Sequence, residues 1–412
     1  MTQNVNRGTY DRVMMQVYSP LDMVLVRGQG VYLYDDQGRS YLDLTAGIAV
    51  SALGHAHPGL SEVIARQAAT LIHTSNIFVN DQMLRLALRL TSLTGFDRVF
   101  FVNSGTEANE AALKLARRSA CDEHGAAKDE IISFDRGFHG RTFFSVCVGG
   151  NPHYSEGFGP RPPAITHLPY NDCAALQRQV SERTCAVIME PIQGEGGIIA
   201  ADPAFVSLAR ELCDRHQAAL IFDEVQTGMG RTGSLYAYEE LGIRPDILTT
   251  SKALAGGIPC GAVLATEAQA RHFTPGTHGS TFGGNPFACA CANYAVDVIS
   301  DPAFLAGVRE RGQQLRTILE RVGRSSGVFE EVRGRGLLLG CVLAAAHAGQ
   351  SSRLQQCCAR HGVLVLTASP DVLRLTPPLI ITAADLERAA ELLSAACEEF
   401  RRQARTGADA RC

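Results

Sequence analysis

The sequence predicts an α/β fold, with a mostly parallel central sheet in a large domain and a smaller α+β domain formed by the two chain ends. Its 412 residues exceed the roughly 250–300 at which one hydrophobic core stops growing, so at least two domains are expected. From Val99 onward, short apolar runs alternate with helical stretches, which is typical of a parallel sheet covered by helices. After Pro286 the pattern changes to long helices around short strands.

Each element of this fold has its own local pattern. The first 50 residues predict an irregular arm and a strand pair, 31–34 and 41–44, around the turn Asp36-Gln37-Gly38. Apolar residues at helical spacing follow at 60–72 and 81–93. The alternating region then predicts helices at 107–124 and 203–216, and strands at 99–102, 130–134, 185–189, 219–222, 247–250 and 261–265.

The last part of the chain predicts long helices at 302–322 and 383–403 around short strands at 337–343 and 363–366. We expect this α+β unit to pack with the N-terminal arm. The chain is therefore divided into an N-terminal arm and part of the small domain at 1–58, a large cofactor-binding domain at 59–290, and the C-terminal small domain at 291–412.

Composition excludes several classes of protein. The 38 basic and 42 acidic residues give a formal charge of −4 without a block of like charge, so neither nucleic acid nor a membrane surface is expected as a partner. No apolar run reaches membrane-spanning length. The 13 cysteines are odd in number, without CxxC spacing, and the chain opens Met1-Thr2-Gln3-Asn4, which favours reduced thiols in the cytoplasm.

Lys252 and Asp223 carry the strongest chemical signal, because each follows an apolar run that predicts a buried strand. Ligands of α/β sheets bind where strands end. A lysine amine there can form a Schiff base with the aldehyde of pyridoxal phosphate, while an aspartate keeps the pyridine nitrogen protonated. On these two residues alone, a salt bridge or two solvated strand ends explains the pattern equally well.

A possible phosphate cradle lies between a predicted strand and the helix that begins at Glu107. In Ser104-Gly105-Thr106 the glycine lets the backbone approach an anion, which the helix dipole favours. A plain helix cap at Thr106 is the alternative. Farther on, Phe138 could stack on a flat cofactor and Arg141 could bind a carboxylate, although a buried phenylalanine beside a surface arginine is the simpler interpretation.

Two other motifs are weaker. Residues 228–233 fit GxGxxG, but a polar segment separates them from the preceding strand and no strong helix follows, which disfavours a nicotinamide cofactor. His55 and His57 form an HxH in a predicted turn without a third ligand. We therefore predict no metal site, and interpret His139 as a polar residue beside the aromatic stack.

Taken together, the motifs resemble the class III aminotransferases of pyridoxal phosphate fold type I, over about residues 18–400. The resemblance rests on SGTEANE from Ser104, FHGR from Phe138, EPIQGEGG from Glu190, DEVQ from Asp223, SKAL from Ser251 and GSTFGGNP from Gly279. Within that class the chain is most similar to acetylornithine and succinylornithine aminotransferases, through AGIAV from Ala46, LGHAHP from Leu53 and VGGNP from Val148.

The resemblance implies a pyridoxal 5′-phosphate site with a role for each motif. Lys252 would bond to the cofactor and carry the proton of the 1,3-shift, and Asp223 would pair with the pyridine nitrogen. The rest of the implied cofactor site consists of Gln226 at the ring hydroxyl, Val225 and Phe138 on the ring faces, and Ser104, Gly105 and Thr106 at the phosphate. Thr281 would reach the phosphate from the other subunit of a homodimer with shared active sites.

The implied substrates are small molecules, an acylated ornithine and 2-oxoglutarate or glutamate. Arg141, with Ser280 nearby, would bind the carboxylate far from the reacting carbon of either substrate. Arg374 would bind the near carboxylate of glutamate, and Glu195 would neutralise Arg374 when that carboxylate is absent. A structural ion pair between domains is the alternative role for Arg374.

Several alternatives stay open. Residues 75–78 resemble acetylornithine enzymes, whereas 340–350 resemble succinylornithine enzymes, so both the acyl group and the direction of the arginine pathway are undecided. Another ω-aminotransferase, acting on ornithine or 4-aminobutyrate, or an aminomutase is the runner-up among enzymes. A non-catalytic binding protein of the same fold is the alternative outside enzymes, and the presence of Lys252 and Asp223 disfavours it.

Overall fold

A computed structural model describes residues 6–409 of the chain, with side chains described to residue 403. Its centre is a seven-stranded sheet in the order β4-β12-β11-β10-β7-β5-β6. The strands are β4 (Arg98–Val102), β5 (Glu130–Phe134), β6 (Ile165–Leu168), β7 (Thr184–Met189), β10 (Ala219–Asp223), β11 (Ile247–Thr250) and β12 (Gly261–Ala265).

The large sheet is mostly parallel, as expected from the alternating pattern. β10 runs parallel to both β7 and β11, and β5 runs parallel to β6 and β7. Only β12 is antiparallel to its neighbours, β11 and β4. The neighbouring parallel strands β10 and β11 therefore deliver their carboxyl ends to the same edge of the sheet.

Helices cover the large sheet. α5 (Gly105–His124) packs against β7, β11 and β12, and buries an alanine-rich stripe that permits close approach. α8 (Pro203–His216) covers β7 and β10 together with α7 (Cys173–Gln179). The remaining helices up to residue 299 are α1 (Arg7–Val13), α2 (Ala46–Ala49), α3 (Pro58–Ala68), α4 (Asp81–Thr94), α6 (Phe143–Val148), α9 (Tyr238–Leu241), α10 (Glu267–Ala270) and α11 (Pro286–Ile299).

Two further four-stranded sheets contain strands from the chain ends. One pairs β1 (Leu25–Gln29), β2 (Tyr32–Asp35) and β3 (Ser40–Asp43) with β15 (Val363–Leu364), so that the N-terminal arm and the C-terminal region share a sheet. The other four-stranded sheet consists of β13 (Phe329–Arg335), β14 (Leu338–Leu343), β16 (Leu366–Ser369) and β17 (Val372–Leu375). A separate small hairpin consists of β8 (Ile192–Gln193) and β9 (Ile199–Ala200).

Long helices pack around these C-terminal strands. They are α12 (Pro302–Ser326), α13 (Ser351–Arg360) and α14 (Ala383–Asp409). The contact of β3 with β15 agrees with an arm that packs on the C-terminal unit, while the domain limits at 58 and 290 stay a prediction.

The structure differs from the sequence expectation in several places, and three of them concern helices. Helix α3 ends at Ala68, whereas helical periodicity extended to 72. The arm predicted to be irregular contains α1, which Asn6 caps in a capping box. Helix α11 was not predicted; Asn285 caps it and Pro286 occupies its first position, so a start signal was present next to a motif already assigned to function.

α2 is a left-handed turn. Its φ values are 45° at Ala46, 63° at Gly47, 67° at Ile48 and 62° at Ala49, although only Gly47 lacks a Cβ. The carboxylate of Asp43 holds the turn, since its Oδ1 accepts bonds from the backbone N–H of Thr45 and of Ala46, at 2.8 and 3.0 Å. This arrangement compensates a conformation that L-residues rarely adopt.

The weaker motifs have structural roles here. His55 Nε2 lies 2.7 Å from Asp43 Oδ2, and His57 caps α3. Over residues 6–409, no group of three or more histidine, cysteine, aspartate or glutamate side chains could hold a metal. The glycines of residues 228–233 lie in turns. No described helix is both long and apolar enough to span a bilayer.

Two glycines of α12 provide a test of packing between this helix and the β13–β14 turn. A Cβ at Gly312 would lie 2.4 Å from the backbone oxygen of Gly336, whereas at Gly307 it would meet the movable guanidinium of Arg311. We expect Gly312→Ala to lower the free energy of unfolding by about 1–3 kcal/mol through overpacking. Gly307→Ala should leave it unchanged or raise it by up to about 1 kcal/mol through helix propensity. Urea unfolding measures both, and equal stabilities of the two variants would contradict this packing.

Candidate active site

The two strand ends singled out in the sequence meet at one cavity. β10 ends at Asp223, which pairs in register with Thr249 of β11, and Lys252 follows two residues after that strand. The cavity has a volume of about 250 Å³. It is lined by Gly105, Thr106, Asn109, Phe138, His139, Gly140, Arg141, Glu190, Asp223, Val225, Gln226 and Lys252.

Lys252 occupies a strained position at this strand end. Its φ is +44°, in the left-handed region that a residue with a Cβ seldom adopts, and such strain is concentrated at functional sites. Burial lowers the pKa of its ammonium; the carboxylate of Glu195 opposes this shift and the guanidinium of Arg374 adds to it. A lowered pKa makes the neutral, nucleophilic amine more available.

Asp223 is fixed by donors from three parts of the fold. Its Oδ2 accepts from Asn109 Nδ2 at 2.7 Å and lies 2.8 Å from His139 Nδ1, while its Oδ1 accepts from the backbone N–H of Val225 at 3.0 Å. Because the carboxylate is buried, these bonds offset its loss of water. Asp223 is therefore held in one orientation at the edge of the cavity, on the strand next to the one that leads to Lys252.

His139 does not flank the aromatic stack, as the sequence analysis expected, but binds Asp223 directly. Burial alone would lower the pKa of His139, yet the hydrogen bond and charge of Asp223, helped by Glu190, raise it. Sequence reasoning also missed Asn109. It lies four residues after Gly105, so helical spacing alone could have placed it on the same face of α5.

Glu190 is a second buried carboxylate that sequence reasoning did not assign. Its Oε1 accepts from the backbone N–H of Phe138 at 2.9 Å and its Oε2 from that of Gly194 at 3.1 Å. Burial raises the pKa of Glu190 to about 7, with His139 opposing the shift and Asp223 adding to it. Glu190 thus joins the loop that carries Phe138 to the loop that carries Glu195.

The N-terminus of α5 has the form expected of a phosphate cradle. Ser104 caps the helix through its hydroxyl, 3.3 Å from the N–H of Glu107, and the first N–H groups of a helix have no partner within it. Gly105 leaves room for Val225, because a Cβ there would lie 2.6 Å from a methyl of that side chain. An anion at this point would meet free amides and the positive end of the dipole.

The hydroxyl of Thr106 is hydrogen-bonded to the loop that carries Arg141. Its Oγ1 accepts from the backbone N–H groups of Arg141 and Thr142, at 3.2 and 3.1 Å, and lies 2.7 Å from Thr142 Oγ1 and 2.8 Å from Ser145 Oγ. A hydroxyl has two lone pairs and one hydrogen, all of which these neighbours occupy. The side chain of Thr106 therefore anchors the Arg141 loop, and its backbone N–H is the group left for an anion.

Arg374 lies in β17 beside the cavity, with its side chain 2% exposed. Its Nη1 is 2.5 Å from Glu195 Oε1, and donates also to the backbone oxygen of Gly194 at 3.0 Å and to Gln226 Oε1 at 3.1 Å. Its Nε has no hydrogen-bond partner among the described residues. The structure thus brings Arg374 together with Glu195, its partner by the resemblance, and also with Gln226, which the resemblance assigned to the cofactor ring.

Ser280 and Thr281 are not brought to this cavity within the chain. They line a separate cavity of about 350 Å³ with Glu107, Glu110 and His278. Ser280 Oγ accepts from Asn103 Nδ2 at 3.2 Å and from the backbone N–H of Gly283 at 2.9 Å. The roles given to these two residues stay predictions.

The site fits pyridoxal phosphate by its donor set. A partly buried lysine with a left-handed φ lines the cavity, a fixed aspartate lies at the next strand end, and the first amides of α5 have no partner within the helix. Phe138 and Val225 supply apolar walls. These are the groups needed for an aldehyde, a pyridine nitrogen, a phosphate and a flat ring.

Fold and site together define a class III aminotransferase. The model of the family Aminotransferase class-III matches residues 13–397, and the chain belongs to this family, whose members use pyridoxal phosphate. The implied fold and cofactor are thereby confirmed.

Individual relatives have more specific names than the family. The chain is 52% identical over 384 residues to the acetylornithine aminotransferase of Vibrio cholerae serotype O1, covering 93% of this chain and 95% of that protein. It is 50% identical over 389 residues to the acetylornithine/succinyldiaminopimelate aminotransferase of Photorhabdus laumondii, covering 94% and 96%. The crystal structure of N-acetylornithine aminotransferase from Stenotrophomonas maltophilia K279a is 40% identical, with a TM-score of 0.84 over 94% of this chain and 98% of that one.

Asp223→Asn tests the aspartate while preserving its shape. The variant removes the negative charge that holds a proton on a pyridine nitrogen, so turnover should fall at least about a hundredfold while cofactor affinity changes far less. Asp246→Asn is the matched control, because Asp246 likewise accepts from a side chain and from a backbone N–H but precedes β11 at the opposite end of the sheet. Steady-state kinetics and cofactor titration measure both; wild-type turnover in Asp223→Asn would contradict the assignment.

Proposed function

We propose that the protein transfers the terminal δ-amine of N2-acetyl- or N2-succinyl-L-ornithine to 2-oxoglutarate, giving the N-acylglutamate 5-semialdehyde and L-glutamate. The proposal places this reaction in arginine biosynthesis or degradation, in the cytoplasm. The observation that carries it is the contact of Arg374 with Glu195 beside Lys252. The names of the relatives at about half identity support it.

One pocket must accept two different reacting carbons. In acylornithine that carbon bears two hydrogens besides the amine and the carbon chain, whereas in glutamate a carboxylate replaces one of these hydrogens. A cation placed to bind this carboxylate of glutamate becomes an unpaired buried charge when acylornithine is bound, which costs several kcal/mol. Glu195 supplies a partner for Arg374 in that case, and its side chain is 28% exposed, so it can turn toward solvent when a substrate carboxylate arrives.

Arg141 suits the other end of both substrates. Its side chain has neither an ion pair nor a hydrogen bond with any residue the structure describes, and it lines the cavity. A guanidinium binds a carboxylate through two parallel N–H donors. The carboxylate remote from the reacting carbon is common to acylornithine and glutamate, so a single arginine serves both.

Pyridoxal phosphate, when bound, supplies an electron sink for the carbon that loses its proton. Residues of the chain transfer the proton and orient the ring. Nζ of Lys252 carries the proton between the two carbons that exchange the amine, and its lowered pKa suits it to act as a base. Asp223 maintains the positive charge at the ring nitrogen, and Gln226 orients the ring hydroxyl while accepting from Arg374.

The proposal includes a homodimer in which Thr281 completes the phosphate site of the other subunit. Ile77, Phe78 and Val79 form an exposed apolar patch, with 85%, 65% and 70% of each residue exposed. Asn76 next to this patch donates to the backbone oxygens of Ser280 and Gly283, so the patch and the Thr281 loop are joined. An apolar surface of this kind favours burial against a second copy.

A second candidate substrate is succinyldiaminopimelate, which the name of the Photorhabdus relative includes. Its reacting carbon carries a carboxylate, as glutamate does. Such a substrate would need Arg374 released from Glu195 in both half-reactions. The two candidates therefore make different demands on the same ion pair.

A coupled glutamate assay on the purified protein tests the proposal. It compares acetylornithine, succinylornithine, succinyldiaminopimelate, ornithine and 4-aminobutyrate as amine donors. We expect one of the acylated ornithines to give the highest kcat/KM. A preference for ornithine or 4-aminobutyrate would overturn the proposal, and no turnover with any donor would favour a non-catalytic binding protein.

Substitutions of Arg374 and Arg141 should differ in which half-reactions they affect. Arg374→Ala should slow the half-reaction with glutamate by about a hundredfold and largely spare amine transfer from acylornithine, which has no carboxylate at the reacting carbon. Arg141→Ala should slow both, and Arg141→Lys should restore little, because an ammonium lacks the planar fork. Single-turnover absorbance with each substrate measures these effects. Equal losses in both half-reactions for Arg374→Ala would reject the switch.

A further inference from the structure

The guanidinium of Arg141 is held by an aromatic ring that does not line the active-site cavity. Its Cζ lies 3.5 Å from the ring centroid of Tyr154, and 5.6 Å from that of Phe138. The backbone N–H of Arg141 is fixed by Thr106, but nothing polar within the described part of the chain holds its side chain. The face of Tyr154 is therefore its main support.

Stacking fixes a guanidinium without using its donors. The N–H groups lie in the plane of the cation and point away from its edge, so a ring against one face leaves all five available. An acidic partner would instead occupy the donors that a substrate carboxylate requires. The Tyr154 ring thus supplies orientation and leaves the binding capacity of Arg141 intact.

The position of Tyr154 is itself built into the fold. It ends the short 3₁₀ turn Pro152–Tyr154, which Asn151 caps by accepting the N–H of His153 at 3.2 Å. Just before it, Gly150 exchanges backbone bonds with Arg136 and Gly137, at 3.1 and 2.8 Å. The Tyr154 turn and the loop that begins the Phe138–Arg141 segment are thereby tied together.

We propose that Tyr154 is a positioning residue that makes the site selective for substrates with a carboxylate remote from the reacting amine. The inference rests on the proposed function, in which Arg141 binds that carboxylate. Phe138, edge-on to Tyr154 at a centroid distance of 6.2 Å, completes the aromatic corner around the cation. The hydroxyl of Tyr154 has no hydrogen-bond partner over residues 6–403, so the ring face carries the effect.

Tyr154→Leu, compared with Tyr154→Phe, tests the role of the ring. In Tyr154→Leu the KM for acylornithine and for 2-oxoglutarate should each rise by about three- to thirty-fold, with a smaller change in kcat. Tyr154→Phe keeps the ring and should stay within about twofold of the wild type. His153→Ala is the control from the same turn, because His153 is 85% exposed in its side chain.

Two readouts separate positioning from structural damage. Turnover of 1-aminopentane, which has no carboxylate, should be unchanged by Tyr154→Leu, and calorimetry should show weaker binding of glutarate to the holoenzyme. Equal losses with the carboxylate substrates and the simple amine, unchanged glutarate affinity, or a loss in Tyr154→Phe as large as in Tyr154→Leu would each overturn the inference. Failure of the proposed function would appear separately, as a wild-type enzyme that does not use acylornithine but still binds glutarate.

Discussion

The arrangement of this site depends on keeping one carboxylate, Asp223, buried and fully bonded. A buried carboxylate without donors is costly, so the fold must bring donors to it. Asn109 comes from α5, His139 from the loop after β5, and the N–H of Val225 from the chain just beyond β10. Satisfying a single side chain thus fixes the relative positions of the cradle, the aromatic loop and the strand ends.

The cationic side chains of the site differ from Asp223, because each is held in place without being fully neutralised. Lys252 is partly buried near both Glu195 and Arg374, Nε of Arg374 has no hydrogen-bond partner among the described residues, and Arg141 rests on aromatic faces. Such groups retain attraction for anions that enter the cavity. Asp223 has donors on both of its oxygens, whereas these cations keep free binding capacity, which suits substrates that carry carboxylates.

Most of the fold could be predicted because the pattern is local. β5, β11 and β12 match the predicted strands, and α8 begins and ends where predicted. The contacts within the active site were harder to predict from the sequence. The contacts of His139 and Asn109 with Asp223 join residues 84 and 114 positions apart, and the saturation of the Thr106 hydroxyl depends on a loop more than 30 residues away. Sequence motifs can name such residues, but only tertiary packing decides whether a hydroxyl faces a ligand or the protein.

The left-handed turn at Ala46–Ala49 has a consequence for how this chain can change. Each non-glycine residue in that conformation costs about 1–2 kcal/mol, which the bonds to Asp43 offset. Loss of Asp43 would leave the strain uncompensated, while a relaxed turn would leave Asp43 with its contact to His55 alone. Residues 43 and 46–49 are therefore coupled in energy: the effect on stability of a substitution at one depends on which residue occupies the other.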